Sequence, residues 1–159
     1  MKNIEDFKKE IDSYLFEFLE NKIESLPSGN SDIDKIWGYL FNFLKGGKRI
    51  RSYIAYLGYK FANGKDDKAA IKLFISIELF HAFCLIHDDI MDEAQTRHGM
   101  KTIHEFAQKI KREGKQGGRH YGQSQAILVG DSLLAWTLEV IFTNKDFNLE
   151  LFECNACNA

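Results

Sequence analysis

Only one proline, Pro27, interrupts this chain of 159 residues, and only three cysteines occur, Cys84, Cys154 and Cys157. An odd and small set of cysteines excludes a disulfide framework, and Cys84, set inside an apolar run, reads as a reduced, buried thiol. Cys154-Asn155-Ala156-Cys157 has CxxC spacing, yet no second ligand pair or strand–helix context accompanies it, so it reads as a loose tail. A dominant charge is also missing: 21 Lys and Arg face 23 Asp and Glu, for a formal net charge of -2. That balance argues against a polyanion-binding surface over the whole molecule and makes nucleic acid a poor partner, while leaving room for a local basic patch. No basic start precedes an apolar stretch, so no signal peptide is read and a cytoplasmic location is the default expectation. The most apolar run, Leu73 to Ile86, contains Glu78 and His81 and is shorter than the ~20 residues that span a bilayer, so no transmembrane helix is expected. Period-two alternation with paired turn residues is absent too, which removes β-hairpins from the expectation.

What is present is apolar bulk with a helical period. Hydrophobic residues make up 45% of the chain and 13 are Phe, enough for one domain to bury a core unaided. Ile4, Phe7, Ile11, Leu15, Phe18, Leu19, Ile23 and Leu26 recur in steps of three and four, predicting a first amphipathic helix that ends at Pro27. Ser31 or Asp32 can cap a second helix, which ends at Gly46-Gly47. A third runs from about Ile50 to Phe61, and Asp66 or Asp67 can cap a long fourth reaching about Glu93. His98 to His120 reads as polar, exposed and mobile, with a short helix near Ile103 to Lys111, a glycine-rich hinge at Gly114 to Gly118, and a last helix from Tyr121 to Phe142. The fold class is all-α.

Two clusters carry chemistry. Asp88-Asp89-Ile90-Met91-Asp92 places three carboxylates in five residues; Asp88 and Asp92 lie one turn apart on one helical face and can both reach a cation beside it. Mg²⁺ takes carboxylate oxygens and shares its remaining positions with phosphate and water, although an acidic, solvated helix end has the same composition. Lys45-Gly46-Gly47-Lys48-Arg49-Ile50-Arg51 joins two glycines, which permit unusual backbone angles, to four cations at a helix mouth. Helix-start N–H groups, arginine forks and lysine point charges all suit a diphosphate, and the spacing is not that of a nucleotide P-loop. A basic interhelical turn is the alternative.

Gly47 to Arg51 resembles a GGKRxRP segment, Glu78 to Asp92 an EL-H-LIHDD segment, Arg97-His98-Gly99 stands where RRG is usual, and Ala126 to Asp131 is similar to AILxGD. In this order the segments resemble those of the trans-type (E) polyprenyl diphosphate synthases, the family of farnesyl and geranylgeranyl diphosphate synthases. The resemblance runs from about Trp37 to Ile141 and covers the first part of a family member. It implies an isoprenoid-synthase-type helical bundle, here incomplete, with five or six helices: residues 1–152 as the N-terminal part of the domain and 153–159 as a disordered tail. It implies a Mg²⁺-dependent prenyltransferase that condenses an allylic diphosphate with isopentenyl diphosphate to a short-chain, C15 to C20, product.

By the same resemblance Asp88 and Asp92 would ligate Mg²⁺, Asp89 would support them, and Arg97 would neutralise the allylic diphosphate. Lys48, Arg51 and His81 would hold isopentenyl diphosphate, and with Arg97 and His98 they make up the substrate-binding set. Ionising the allylic carbon needs stabilisation of the departing charge rather than a nucleophilic side chain. Phe83 and Cys84 would set chain length at the floor of an apolar channel, though Phe83 reads equally as a plain core residue. A homodimer or other oligomer is the expected assembly.

The sequence also departs from the pattern. No second aspartate-rich motif follows; Asp131 and Asp146 are isolated. His98 replaces an arginine, and Ser52 replaces proline, which reads as a small loss of rigidity at a helix start. Lys109 to His120 reads as an inserted surface loop. The expectation is therefore of a chain truncated before the second motif, or of one that buries an uncovered apolar face in an oligomer. Its alternative function is a non-catalytic subunit or regulator of a complete synthase; a terpene cyclase, which needs no second diphosphate site, is a third reading.

Overall fold

The computed structural model describes residues 1–27, 29–112 and 118–143. Six helices and one minimal hairpin occur among them: α1 (Ile4–Glu24), α2 (Ser31–Lys45), α3 (Ile50–Phe61), α4 (Asp67–Met91), β1 (Thr96–Arg97), β2 (Met100–Lys101), α5 (Ile103–Arg112) and α6 (Gly118–Thr143). The all-α expectation holds. α4 packs most extensively against α6, and α5 lies along α6 almost as closely.

The periodic stripe of α1 becomes its buried face, Phe7, Ile11, Leu15 and Leu19, all at 1% exposure or less. From α2 come Ile36, Trp37, Leu40 and Leu44, and from α4 a row from Ala70 to Ile86. The stripe of α6, Ala126, Val129, Leu133, Trp136 and Val140, closes the core. Trp37 and Trp136 meet with ring centroids 5.4 Å apart and join α2 to α6. Each buried Leu, Ile or Phe contributes roughly 1.5–3 kcal/mol through apolar area removed from water, which makes this interface the main source of stability.

Caps set the helix starts. Asn3 accepts from the Asp6 N–H, and Asp66 from the Ala69 N–H, at the heads of α1 and α4. At α2 the cap is Asn30, accepting from the Asp32 N–H, so the expected Ser31 or Asp32 cap is displaced by one or two residues.

Several expectations are corrected. A hairpin does exist: Thr96 pairs with Lys101 and Arg97 with Met100, around a two-residue turn in which His98 (φ 51°) and Gly99 (φ 79°) are both left-handed. Two rungs are too short to leave an alternation in the sequence, and the turn chemistry rests on Gly99. The segment after it is not uniformly exposed, because Thr102, Ile103, His104, Ala107 and Gln108 are buried under α6. Lys109 to Arg112 belong to α5 and Gly118 to His120 to α6, so the two described ends of the expected loop are helical; the rest of it, residues 113–117, with all of the Gly114 to Gly118 hinge but its last residue, lies outside the described residues. So do Asp146, Cys154, Cys157 and the tail 153–159. Cys84 is half-buried rather than buried. α4 and α6 are each long and apolar enough to cross a membrane by length and composition, against the expectation from Leu73 to Ile86, because α4 continues beyond that run at both ends; half of its most apolar stretch is buried within the bundle.

Candidate functional site

The functional end of the molecule is built where α2 hands over to α3 beside the last turns of α4. Gly46 and Gly47 were expected to supply unusual backbone angles, but the left-handed residue of this turn is Arg49, at φ 55°. Gly47 is needed for space: a Cβ there would fall 2.3 Å from Arg49 Nη1. Arg49 turns inward and is buried, its Nε 2.7 Å from Asp12 of α1, its Nη1 3.1 Å from Glu78 of α4, and its Nη2 donating to the Leu44 carbonyl at the end of α2. A buried guanidinium needs such partners, and here they bind three helices to one turn.

With Arg49 spent internally, Lys48 and Arg51 on either side remain exposed. They line a cleft of about 250 Å³ together with His81, Arg97 and His98. All five residues expected to hold substrate are therefore brought together. Arg51 Nη1 lies 3.0 Å from His81 Nε2. Arginine can only donate, so Nε2 must accept and the imidazole is neutral with its proton on Nδ1. Burial, then the nearby Arg51, lower the His81 pKa, in agreement with a neutral ring.

The acidic turn adjoins this cleft through Arg97. The β1–β2 hairpin, tied to α2 by the Tyr39 hydroxyl donating to the Lys101 carbonyl, carries Arg97 back onto α4. Its Nε donates to Asp89 Oδ1 at 2.9 Å, and Nη2 lies 2.7 Å from that oxygen and 3.2 Å from Asp88 Oδ2. Those carboxylates, Asp89 first, raise the Arg97 pKa. Asp89 is 1% exposed, so its part is to hold Arg97, while the Asp88 side chain is 56% exposed and open to a ligand. Asp92 caps α4, its N–H bonded to the Asp88 carbonyl, and is exposed as well.

Phe83 and Cys84 do not line this cleft. Phe83 packs on His87, ring centroids 4.6 Å apart, and near Phe80 at 5.7 Å. His87 in turn sits against α6, its Nε2 3.4 Å from Asp131, over Gly130, where a Cβ would meet the ring at 2.3 Å. A roomier cavity, about 420 Å³, lies between α1, α2 and α6; its lining is mostly apolar, with Glu24, Asp34, Gln125 and Ser132, and, unlike the first cleft, carries no cation.

Reasoning on the sequence missed Asp12, Arg49 and Glu78 as a unit. Glu78 left a signal, since a carboxylate in the middle of an apolar run requires a buried partner; Asp12, on the polar flank of an amphipathic helix, left none.

Residues 32–156 match the family model described as Polyprenyl synthetase. The chain belongs to that family. Among its relatives, a geranylgeranyl pyrophosphate synthase of Geoglobus acetivorans is 41% identical over 101 residues, 63% of this chain and 27% of the relative. A geranylfarnesyl diphosphate synthase of Aeropyrum pernix is 33% identical over 140 residues, 87% of this chain and 37% of the relative. In structure, the chain is similar to the geranylgeranyl pyrophosphate synthase of Corynebacterium glutamicum complexed with isoprenyl diphosphate and magnesium, with a TM-score of 0.80 and 26% identity over 90% of this chain and 42% of that one. The chain thus spans between about a quarter and two fifths of these polyprenyl synthetases.

Proposed function

We propose that this polyprenyl synthetase chain holds the two diphosphates of a Mg²⁺-dependent prenyl transfer, in which an allylic diphosphate is joined to isopentenyl diphosphate. The observation that carries the reading is the cleft that gathers Lys48, Arg51, His81, Arg97 and His98 and abuts the acidic turn through the Arg97–Asp88 pair. Lys48 and Arg51 offer a point charge and a bidentate fork to one diphosphate, and the neutral His81 imidazole offers an Nδ1–H donor. His98, exposed at the hairpin tip, lies at the same mouth.

The acidic turn fits a hard cation. Asp88 and Asp92 are exposed carboxylates one turn apart, and no group of three His, Cys, Asp or Glu able to hold a metal occurs among the described residues. Two protein oxygens with the remaining positions left to phosphate and water is the usual arrangement for Mg²⁺. When bound, Mg²⁺ would supply charge stabilisation for a leaving diphosphate. Arg97 would exchange its contact with Asp88 for the same diphosphate, while its buried contact with Asp89 keeps the guanidinium aimed at the site. The side chains act by binding and orientation, and none is asked to attack. Product length, set by Phe83 and Cys84 in a C15 to C20 synthase, is part of this proposal.

The test is incubation of the purified chain with an allylic diphosphate, isopentenyl diphosphate and Mg²⁺, with extraction of prenyl products. A second reading, a helical subunit serving a complete synthase, is favoured by the exposed apolar residues Leu128, Leu138 and Phe142 of α6. It predicts product only after a complete synthase is added. Assembly as a homodimer would use the same exposed face.

A further inference from the structure

We infer that Ser52, which stands where the resembling motif has proline, is a positioning residue for the basic end of the cleft: through Glu78 it fixes the register that brings Arg51 onto His81. The inference rests on the proposed role of that cleft.

Ser52 is fully buried, at 0% exposure. Its hydroxyl lies 2.5 Å from Glu78 Oε1 and 2.9 Å from the Phe74 carbonyl; its single proton goes to the nearer, charged oxygen, which ties the first turn of α3 to the middle of α4. Glu78, itself 4% exposed, takes Arg49 on its other oxygen. One carboxylate thus receives α3 through Ser52 and the preceding turn through Arg49, and both of its oxygens are satisfied. The next residue back from Ser52 is Arg51; the next residue of the same α4 face beyond Glu78, three positions on, is His81. The buried Ser52–Glu78 contact therefore neighbours the exposed Arg51–His81 contact on both helices, and holding the first sets the spacing of the second. An exposed arginine has many rotamers, and holding its backbone against α4 is what makes a 3.0 Å contact with His81 repeatable. A proline at this position would lose no helical hydrogen bond, since the first-turn N–H groups have no partner within the helix, but it would bring no hydroxyl to Glu78. What read as a loss of rigidity in the sequence is a hydrogen bond in its place.

The test uses the full chain with inorganic pyrophosphate and Mg²⁺ as probe, and follows two readouts in Ser52→Ala, Ser52→Pro and Ser52→Thr: pyrophosphate affinity by calorimetry and the His81 imidazole titration by NMR. His81 is faced by Arg51, Glu78, Arg97 and Arg49, and Arg51 is the charge that contributes most to lowering its pKa. Ser52→Ala and Ser52→Pro free Arg51, so the His81 midpoint moves up and pyrophosphate binds ~3- to 10-fold more weakly, the range of one net hydrogen bond. Ser52→Thr, which keeps the hydroxyl, stays with the unsubstituted chain in both readouts. An alanine variant that fails to fold passes the decision to proline, which keeps the helix start. An unmoved His81 midpoint in Ser52→Ala or Ser52→Pro overturns the inference, as does a threonine variant that behaves like alanine. Absence of pyrophosphate binding by the unsubstituted chain removes the proposed function instead, and the His81 titration then decides the register by itself.

Discussion

Arg51 and His81 meet nitrogen to nitrogen at 3.0 Å, a guanidinium donating to a neutral imidazole at the mouth of the cleft. The pH behaviour follows from the lowered His81 pKa. A histidine that titrates lower when folded than when unfolded makes its full contribution to stability above the unfolded value of about 6.5. That contribution is lost as pH falls from there through the lowered folded pKa. Thermal unfolding from pH 7.5 to 5 should show this fall; His81→Asn should reduce it, and His104, whose pKa burial also lowers, should account for the part that remains. Pyrophosphate, an anion placed beside the ring, should raise the midpoint of His81 in an NMR titration.

The two carboxylates that Arg97 touches should respond differently to substitution. Asp89 is buried and Asp88 is exposed. Arg97→Ala leaves the Asp89 charge buried with its cation gone and should cost about 3 kcal/mol of unfolding free energy in urea. Asp88→Asn removes only a solvent-screened pair and should change stability by less than about 0.5 kcal/mol, while abolishing Mg²⁺-dependent pyrophosphate binding.

The His87 ring of α4 lies directly over Gly130 of α6. Because a Cβ there would meet His87 Cε1 at 2.3 Å, Gly130→Ala should destabilise the chain by about 1–3 kcal/mol. His87→Ala in the same chain should restore most of the loss, since it removes the ring that clashes. Equal destabilisation with and without His87 would show that the helix itself, and not the contact, resists the change.

On α6, Leu138 is 46% and Phe142 is 68% exposed, flanked by the exposed Leu128 at 58%. A face of this kind should drive self-association, seen as a sedimentation coefficient that rises with concentration. Leu138→Glu with Phe142→Glu should return the chain to monomer without changing its helical content.

Much of the bundle was legible because helical period survives in sequence wherever one face is buried. The stripe of α1 and the start of α3 at Ile50 were both readable from it. α5 and the early part of α6 were less so: Thr102, His104 and Gln108 are polar yet buried, so their burial depends on packing partners far along the chain. The site split in the same way. Asp88, Asp92, Lys48 and Arg51 announce themselves by clustering, whereas the Arg49 ion pairs with Asp12 and Glu78 span 37 and 29 positions and are defined only in space. Ser52 shows the limit most clearly, since a substitution that looked like subtraction gains its meaning from Glu78, one helix away.

The most direct measurement of the central claim is calorimetric titration of the chain with inorganic pyrophosphate in the presence and absence of Mg²⁺. A Mg²⁺-dependent heat that disappears in Asp88→Ala with Asp92→Ala, and weakens in Lys48→Ala with Arg51→Ala, is the predicted result. Heat that is unchanged by all four substitutions, or no heat at all from a folded chain, would contradict it.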